Sequence, residues 1–350
     1  MSHPSSITTN AFAATAHERI ADYVRRAGGD AGSLVALTPD ASTREYFRIP
    51  WRGGTAVAAV YPEPFDPEVH PFIDVTRLFE AANLPVPAIL DVDSSTGIIV
   101  QEDLGDRQLR RVFESASGKA RETYVGRAIA LIADIQAATP LAYERHSIAS
   151  RLAFDEAKLA WEMDYFVEHY FGSYRRERLS HGAEAELRAE LNDIASELAA
   201  RPRVLCHRDF HTSNLIVDAQ ERLRVIDHQD ARMGPASYDL VSLLLDRQTA
   251  PPSLAEIRQR RLLFLEERGR RGLEAITADD FSGEFRLMTV QRCLKACGTF
   301  SYQTGVGGRA EAYEHFIQPI LLIALQAAEW LNRFPALRRT LGARVRPGAV

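Results

Sequence analysis

The chain of 350 residues has only three lysines, Lys119, Lys158 and Lys295, so arginine carries nearly all of its basic charge. Its three cysteines, Cys206, Cys293 and Cys297, are odd in number and form no CxxC pair, which argues against a disulfide framework and a structural zinc site. No stretch approaches the 18 uninterrupted apolar residues of a membrane span, and the start shows no charged segment leading into an apolar one. Neither secretion nor membrane insertion is expected. A basic excess is missing too: 42 Lys and Arg stand against 47 Asp and Glu, a net charge of -5, which argues against nucleic-acid binding but leaves room for a local anion site. What remains is a cytoplasmic globular protein, 46% hydrophobic and 25% charged, with no obligate protein partner evident. At roughly 100 to 200 residues per domain, the length suits two packed units.

An amphipathic stretch with Ala16, Ile20, Tyr23 and Val24 on one face predicts a first helix. Short β-rich runs follow at 33–37, 46–49, 56–61, 86–91 and 98–102, with a helix expected over 71–82. After Asp103-Leu104-Gly105-Asp106 the pattern changes to long helical segments at 107–117, 121–138, 150–171 and 183–200. Strands at 215–217 and 223–226 flank a polar turn, and helices resume from Tyr238. The fold class expected is α+β: a small antiparallel N-terminal lobe, residues 1–102, a hinge at 103–106, and a larger helical lobe, 107–350, with a small-molecule cleft at the junction.

The strongest chemical signal lies between Val204 and Asp230. It contains His207-Arg208-Asp209, Asn214 five positions after Asp209, and Asp227 at the end of the next apolar strand. This is the H-R-D-x-x-x-x-N spacing of a phosphotransferase catalytic loop. Clustered phosphate charge calls for Mg²⁺ on hard oxygen ligands, which Asn214 and Asp227 offer. Asp209 stands where a carboxylate can orient an alcohol and take its proton. Singly, an Asp or Asn at such a position caps a turn. Together, with a strand-turn-strand between them, they point to ATP-dependent phosphoryl transfer.

With these residues the chain resembles the aminoglycoside phosphotransferase and choline kinase superfamily, whose fold is protein-kinase-like and two-lobed. The resemblance spans nearly the whole sequence. It implies that Asp239, in Gly234-Pro235-Ala236-Ser237-Tyr238-Asp239-Leu240, hydrogen-bonds the catalytic-loop backbone. Within the superfamily the chain is similar in particular to bacterial kinases that phosphorylate N-acetylmuramate and N-acetylglucosamine at the anomeric position in cell-wall recycling. Asp40-Ala41-Ser42-Thr43-Arg44-Glu45-Tyr46-Phe47-Arg48 looks like their phosphate-covering turn, which implies that Ser42, Thr43, Arg44 and Arg48 contact ATP. The segment 98–106 looks like the hinge, with backbone groups near Glu102 and Leu104 on the adenine edge.

The segment from Gln291 to Phe300 looks like a helix of the sugar kinases, and makes Gln291, Arg292 and Lys295 candidates for the sugar. Arg292 and Lys295 share a helical face and suit an acidic acceptor; the plainer reading is a solvated basic face. Glu162 and Asp164 are candidate hydroxyl acceptors, with a surface-charge reading equally open. Trp161 and Phe166 read as core. His207, His211 and His228 carry little weight as a zinc set, since the catalytic loop accounts for them. Two features of many kinases are missing: a Gly-x-Gly-x-x-Gly loop and a lysine on the third strand. Two other readings stay open, an aminoglycoside- or choline-type phosphotransferase and a noncatalytic nucleotide-binding module.

Overall fold

Alternating side chains in Tyr46-Phe47-Arg48-Ile49 and an apolar run from Ala56 to Val60 build a sheet that is buried on both faces. The computed structural model describes residues 14–37, 44–247 and 252–345. They fall into two compact units: 1–108 together with 216–229, and 109–215 together with 230–350. The segment 216–229, which the sequence pattern leaves inside the 107–350 lobe, thus groups with the N-terminal unit.

The first unit holds strands β1 (Val35–Leu37), β2 (Glu45–Trp51), β3 (Gly54–Val60), β4 (Ile89–Asp93) and β5 (Ile98–Glu102), in the order β1-β2-β3-β5-β4 and antiparallel throughout. Arg52 and Gly53, both at positive φ, form the two-residue turn between β2 and β3. Helix α1 (Ala16–Arg26) opens with a capping box between Thr15 and Glu18. Its buried face, Ala16, Ile20, Tyr23 and Val24, packs on Phe47, Ile49, Ala58, Ile98 and Val100. Helix α2 (Pro71–Ala81) packs on the opposite face, where Phe72 and Ile73 meet Ile99. The strand expected at 86–91 begins instead at Ile89, because Pro85 and Pro87 have no N–H to give a ladder.

The second unit is helical: α3 (Leu109–Ser115), α4 (Gly118–Ala137), α5 (Thr139–Glu144), α6 (Ile148–Arg151), α7 (Glu156–Phe166), α8 (His181–Ala199), α9 (Tyr238–Leu245), α10 (Leu254–Arg270), α11 (Ala278–Gly305), α12 (Ala310–Leu331) and α13 (Pro335–Gly342). Helix α4 continues into α5, and together they are long and apolar enough to cross a membrane by length and composition. Ala128, Ile129, Ile132 and Ala133 are nonetheless fully buried, and the amide of Gln136 donates to the Ala236 carbonyl, so it serves as a core helix of this unit.

One helix was expected over 150–171. The chain instead leaves α6 through Leu152-Ala153-Phe154, restarts at the Asp155 cap of α7, and widens into a π-helix at Val167–Arg175. Here α11 lies against the backbone: a Cβ on Gly298 would sit 2.8 Å from Phe166 Cα, and one on Gly305 would sit 2.8 Å from the Ser173 carbonyl oxygen. Another element absent from the sequence reading is the antiparallel pair β6 (Arg203–Cys206) and β9 (Arg232–Pro235). Between them in sequence lie β7 (Leu215–Val217) and β8 (Leu223–Val225), which pair with each other. The three cysteines are free and buried.

Candidate active site

Strand β6 delivers His207-Arg208-Asp209 from the core of the helical unit. Asp239, in the first turn of α9 and fully buried, accepts from the backbone N–H groups of His207 at 2.7 Å and Arg208 at 3.0 Å. That is the support the motif implied. Arg208 adopts φ +85, a left-handed conformation that a non-glycine residue holds only when its surroundings enforce it. Two backbone bonds to one carboxylate supply that enforcement. The Asn214 Nδ2 donates to the Asp209 carbonyl at 2.9 Å, closing the loop and turning the amide oxygen, Oδ1, into the atom suited to a metal.

The Asp209 carboxylate receives Arg292 Nη2 at 3.3 Å on Oδ1 and has Arg208 Nε at 3.7 Å from Oδ2. Desolvation opposes its charge, but Arg208, Lys295 and Arg292 outweigh that and hold the carboxyl well below the usual carboxylate range. Desolvation and the neighbouring Arg292 push the Lys295 ammonium down, while Asp209 and Glu162 pull the other way. Two arginines thus flank one carboxylate, and Lys295 acts on it electrostatically.

The sugar candidates separate by burial. Arg292 is 2% exposed, neither a solvated face nor open to an acceptor. Its guanidinium donates to Tyr238 Oη at 2.9 Å, Ser242 Oγ at 3.0 Å, Asp209 at 3.3 Å and Asp246 at 3.3 Å. This corrects its reading as a sugar contact: its two Nη groups are committed to Asp209, Asp246 and the hydroxyls of Tyr238 and Ser242. Gln291 and Glu162 are also fully buried and bond to each other at 2.8 Å, so direct sugar contact is corrected to internal support for these two as well. Lys295 alone among the four keeps partial exposure, and no hydrogen bond or ion pair engages its ammonium among the described residues. Asp164 is a surface partner of Arg188. Phe166 is core as expected, but Trp161 is 53% exposed, with Lys158 Nζ 3.9 Å from its ring centroid.

His211, within the same loop, is nearly buried, and burial pushes its imidazole down to about 4. In the unfolded chain it titrates near 6.5. Between those values the unfolded state binds the extra proton, so this histidine's stability contribution is full above pH 6.5 and is lost as pH falls toward 4, a loss of about 3 kcal/mol. Chemical denaturation at pH 7 and pH 4.5 checks this: His211→Gln is expected to flatten that part of the pH dependence, and an unchanged slope would refute it.

In the N-terminal unit Asp227 closes the stretch after β8 with φ +64, a second left-handed non-glycine residue. Its Oδ1 accepts from Gln229 Nε2 at 2.8 Å and lies 3.5 Å from Arg44 Nη2. Arg44 sits with its guanidinium 5.7 Å from the ring centroids of both Tyr46 and Tyr61. Arg48 does different work. Its Nε and Nη2 donate to Asp103 at 2.7 and 3.1 Å, and Nη1 and Nη2 donate to Asp106 at 3.0 and 2.9 Å. The reading of Arg48 as a phosphate contact is corrected accordingly: it ties β2 to the segment 103–106. Glu102 likewise gives its carboxylate to Arg224 at 3.0 and 2.6 Å and its N–H to the Ala88 carbonyl at 2.9 Å. The backbone groups of Leu104 make no hydrogen bond among the described residues, which leaves them the hinge groups able to meet a base edge. Ser42 and Thr43 lie outside the described residues.

The chain as a whole is similar to several known proteins. A curated N-acetylmuramate/N-acetylglucosamine kinase of Neisseria meningitidis is 28% identical over 88% of this chain and 91% of its own length. A protein of the same name from Pseudomonas aeruginosa is 30% identical over 77% of this chain and 76% of its own. Among solved structures, a choline/ethanolamine kinase family protein from Mesorhizobium loti superposes with a TM-score of 0.57 at 17% identity, covering 93% of this chain and 100% of that one. The streptomycin-ATP-APH(2″)-IIa ternary complex gives 0.55 at 16%, covering 86% and 98%. At such identities these two establish the protein-kinase-like fold alone. The family profile described as the phosphotransferase enzyme family matches residues 33–275, well over half of the sequence, and the chain belongs to that family.

Proposed function

We propose that the chain transfers the γ-phosphoryl group of ATP to the anomeric hydroxyl of N-acetylmuramate and N-acetylglucosamine in the cytoplasm. The observation that carries this reading is Lys295, partly exposed, without a hydrogen bond or ion pair among the described residues and acting electrostatically on Asp209. A choline or aminoglycoside acceptor brings positive charge and is repelled there; a neutral N-acetylated sugar is tolerated, and the carboxylate of a muramate is attracted to Lys295. The names of the curated relatives support the same substrates.

In this reading Asp209 orients the sugar hydroxyl and receives its proton as the oxygen bonds to phosphorus and ADP departs. Depression of its carboxyl keeps it charged and accepting at neutral pH. Arg292 holds one of its oxygens by a hydrogen bond, and the Arg208 charge lies 3.7 Å from the other. Leu104 supplies the backbone edge for adenine, while Ser42, Thr43 and Arg44 cover the phosphates. Arg44, already beside Asp227 and braced by two tyrosine rings, is the cation in position to do what a third-strand lysine does elsewhere.

Asn214 and Asp227 each offer a hard oxygen of the kind Mg²⁺ takes, with the Asn214 amide nitrogen already committed and the Asp227 carboxylate 41% exposed. When bound, the ion neutralises phosphate charge and orients the transferred group. Mass spectrometry of products from a mixed pool of amino sugars, aminoglycosides and choline with Mg²⁺-ATP tests the proposal. The expected result is a phosphorylated N-acetylmuramate and N-acetylglucosamine. In the same assay Lys295→Met should raise KM for N-acetylmuramate by about tenfold, the scale of one lost charged contact, with a much smaller change for N-acetylglucosamine. A preferred cationic acceptor would overturn the reading, and nucleotide binding without any product would favour the noncatalytic module.

A further inference from the structure

Helix α2 and the residue that follows Asp227 are joined by a hydrogen bond with no part in the scheme above. Thr76 is fully buried in α2, and its hydroxyl donates to the Phe72 carbonyl one turn back at 2.6 Å. A hydroxyl has a single proton. At 2.7 Å from His228 Nε2, the Thr76 oxygen therefore acts as the acceptor, which makes Nε2 the protonated ring nitrogen. The imidazole is itself fully buried against two rings of α2, Phe72 at 5.1 Å and tilted by 31°, and Phe79 at 5.4 Å and tilted by 25°. Helix α2 is anchored in turn, since Phe72 and Ile73 pack against Ile99 of β5.

These contacts fix residue 228 on three sides, and its chain neighbour is Asp227 at φ +64. A left-handed aspartate is held at a cost of about 1 kcal/mol or more, so it keeps one orientation only where its flanks are overdetermined. Gln229 holds Asp227 from the other side through Oδ1. In many kinases a strand lysine paired with a helix glutamate joins the helix to the site. Strand β3 here runs Gly-Thr-Ala-Val-Ala-Ala-Val and has no lysine to make that pair.

We propose that His228, held by Thr76 and the rings of Phe72 and Phe79, is a positioning residue that aims the Asp227 carboxylate, a neutral hydrogen-bonded link in place of the lysine–glutamate ion pair. The inference rests on the reading of Asp227 as a metal ligand. Its role resembles that of partners that orient metal ligands elsewhere, whose loss weakens metal affinity by about 10- to 100-fold.

The test titrates Mn²⁺ into the full chain with a non-hydrolysable ATP analogue, following the signal of free Mn²⁺ by electron paramagnetic resonance. Thr76→Val exchanges one oxygen for a methyl group, and His228→Phe keeps the aromatic filling without the N–H. Both should weaken Mn²⁺ binding by about tenfold or more, with nucleotide affinity in EDTA unchanged. Thr76→Ser and His228→Gln, which restore the acceptor and a donor at similar reach, should recover most of the loss. If His228 were only core filling, His228→Phe would match the wild type and His228→Gln would be worse; that ordering overturns the proposal. Should His228→Phe fail to fold, judged by thermal melting, Thr76→Val decides: wild-type Mn²⁺ affinity in it also overturns the proposal. Asp227→Asn separates the two levels. If it binds Mn²⁺ normally, the metal reading of Asp227 and the link both fail. If it loses the ion while Thr76→Val and His228→Phe keep it, the link alone fails.

Discussion

Asp209→Asn is expected to reduce turnover about a thousandfold, within the 10²–10⁴ range of a lost general base, while nucleotide affinity stays within about twofold of wild type. The substitution keeps the shape of the side chain but removes its charge and its capacity to take a proton. It also leaves Arg208, Arg292 and Lys295 without the carboxylate they act on. A second effect follows from that. The uncompensated cations should attract an acidic acceptor more strongly, so KM for N-acetylmuramate is expected to fall while kcat falls. A neutral N-acetylglucosamine should show the loss in kcat without a comparable fall in KM. Steady-state kinetics on both sugars, with nucleotide affinity from a separate titration, gives all three quantities. Turnover within tenfold of wild type would remove Asp209 from the proposed role.

Much of the catalytic loop was legible in the sequence because its chemistry demands particular side chains at fixed separations. Asp209 and Asn214 fall five apart, and the structure ties them by a bond from the Asn214 amide to the Asp209 carbonyl. Asp239 followed from the resemblance, and its two backbone bonds are present. The face of α1 was equally legible, since one amphipathic stripe admits one buried side. Arg48 and Arg292 were not legible in this way. Each belongs to a spacing that fits a ligand contact, but the partners that claim them, Asp103 and Asp106 for one and Ser242 and Asp246 for the other, are brought there by the fold. The scarcity of lysine offered a partial signal: a fork of five donors on a planar group suits buried multipoint bonding better than an ammonium does. The π-helix at Val167–Arg175 had a faint trace as well, in the spacing of Gly298 and Gly305 on α11. The link through His228 left none, because it depends on which hydroxyl of α2 faces the ring.

Arg292 is the place where the corrected reading and the original one give opposite results. As an internal brace it holds two carboxylates, Asp209 and Asp246, and two hydroxyl oxygens, with its guanidinium carbon 5.0 Å from the Tyr238 ring centroid. Arg292→Ala leaves Asp246, 8% exposed, without that cation and empties the space of a large buried side chain. Removing one partner of a buried charge pair costs about 3–5 kcal/mol, so a marked fall in the denaturation midpoint is expected. Arg292→Lys keeps the charge but cannot reach four acceptors at once, so a smaller loss of stability should accompany a large loss of kcat. The Asp209 carboxyl is held low partly by the charge of Arg292, so the acid limb of the pH–rate profile should move upward in the alanine variant and stay closer to its place in the lysine variant. A sugar contact behaves otherwise: KM for N-acetylmuramate would rise while stability and the pH profile stayed in place. Denaturation curves and pH–rate profiles on the same two variants therefore decide between the brace and the sugar contact, and a stability loss below about 1 kcal/mol for Arg292→Ala would return Arg292 to the acceptor.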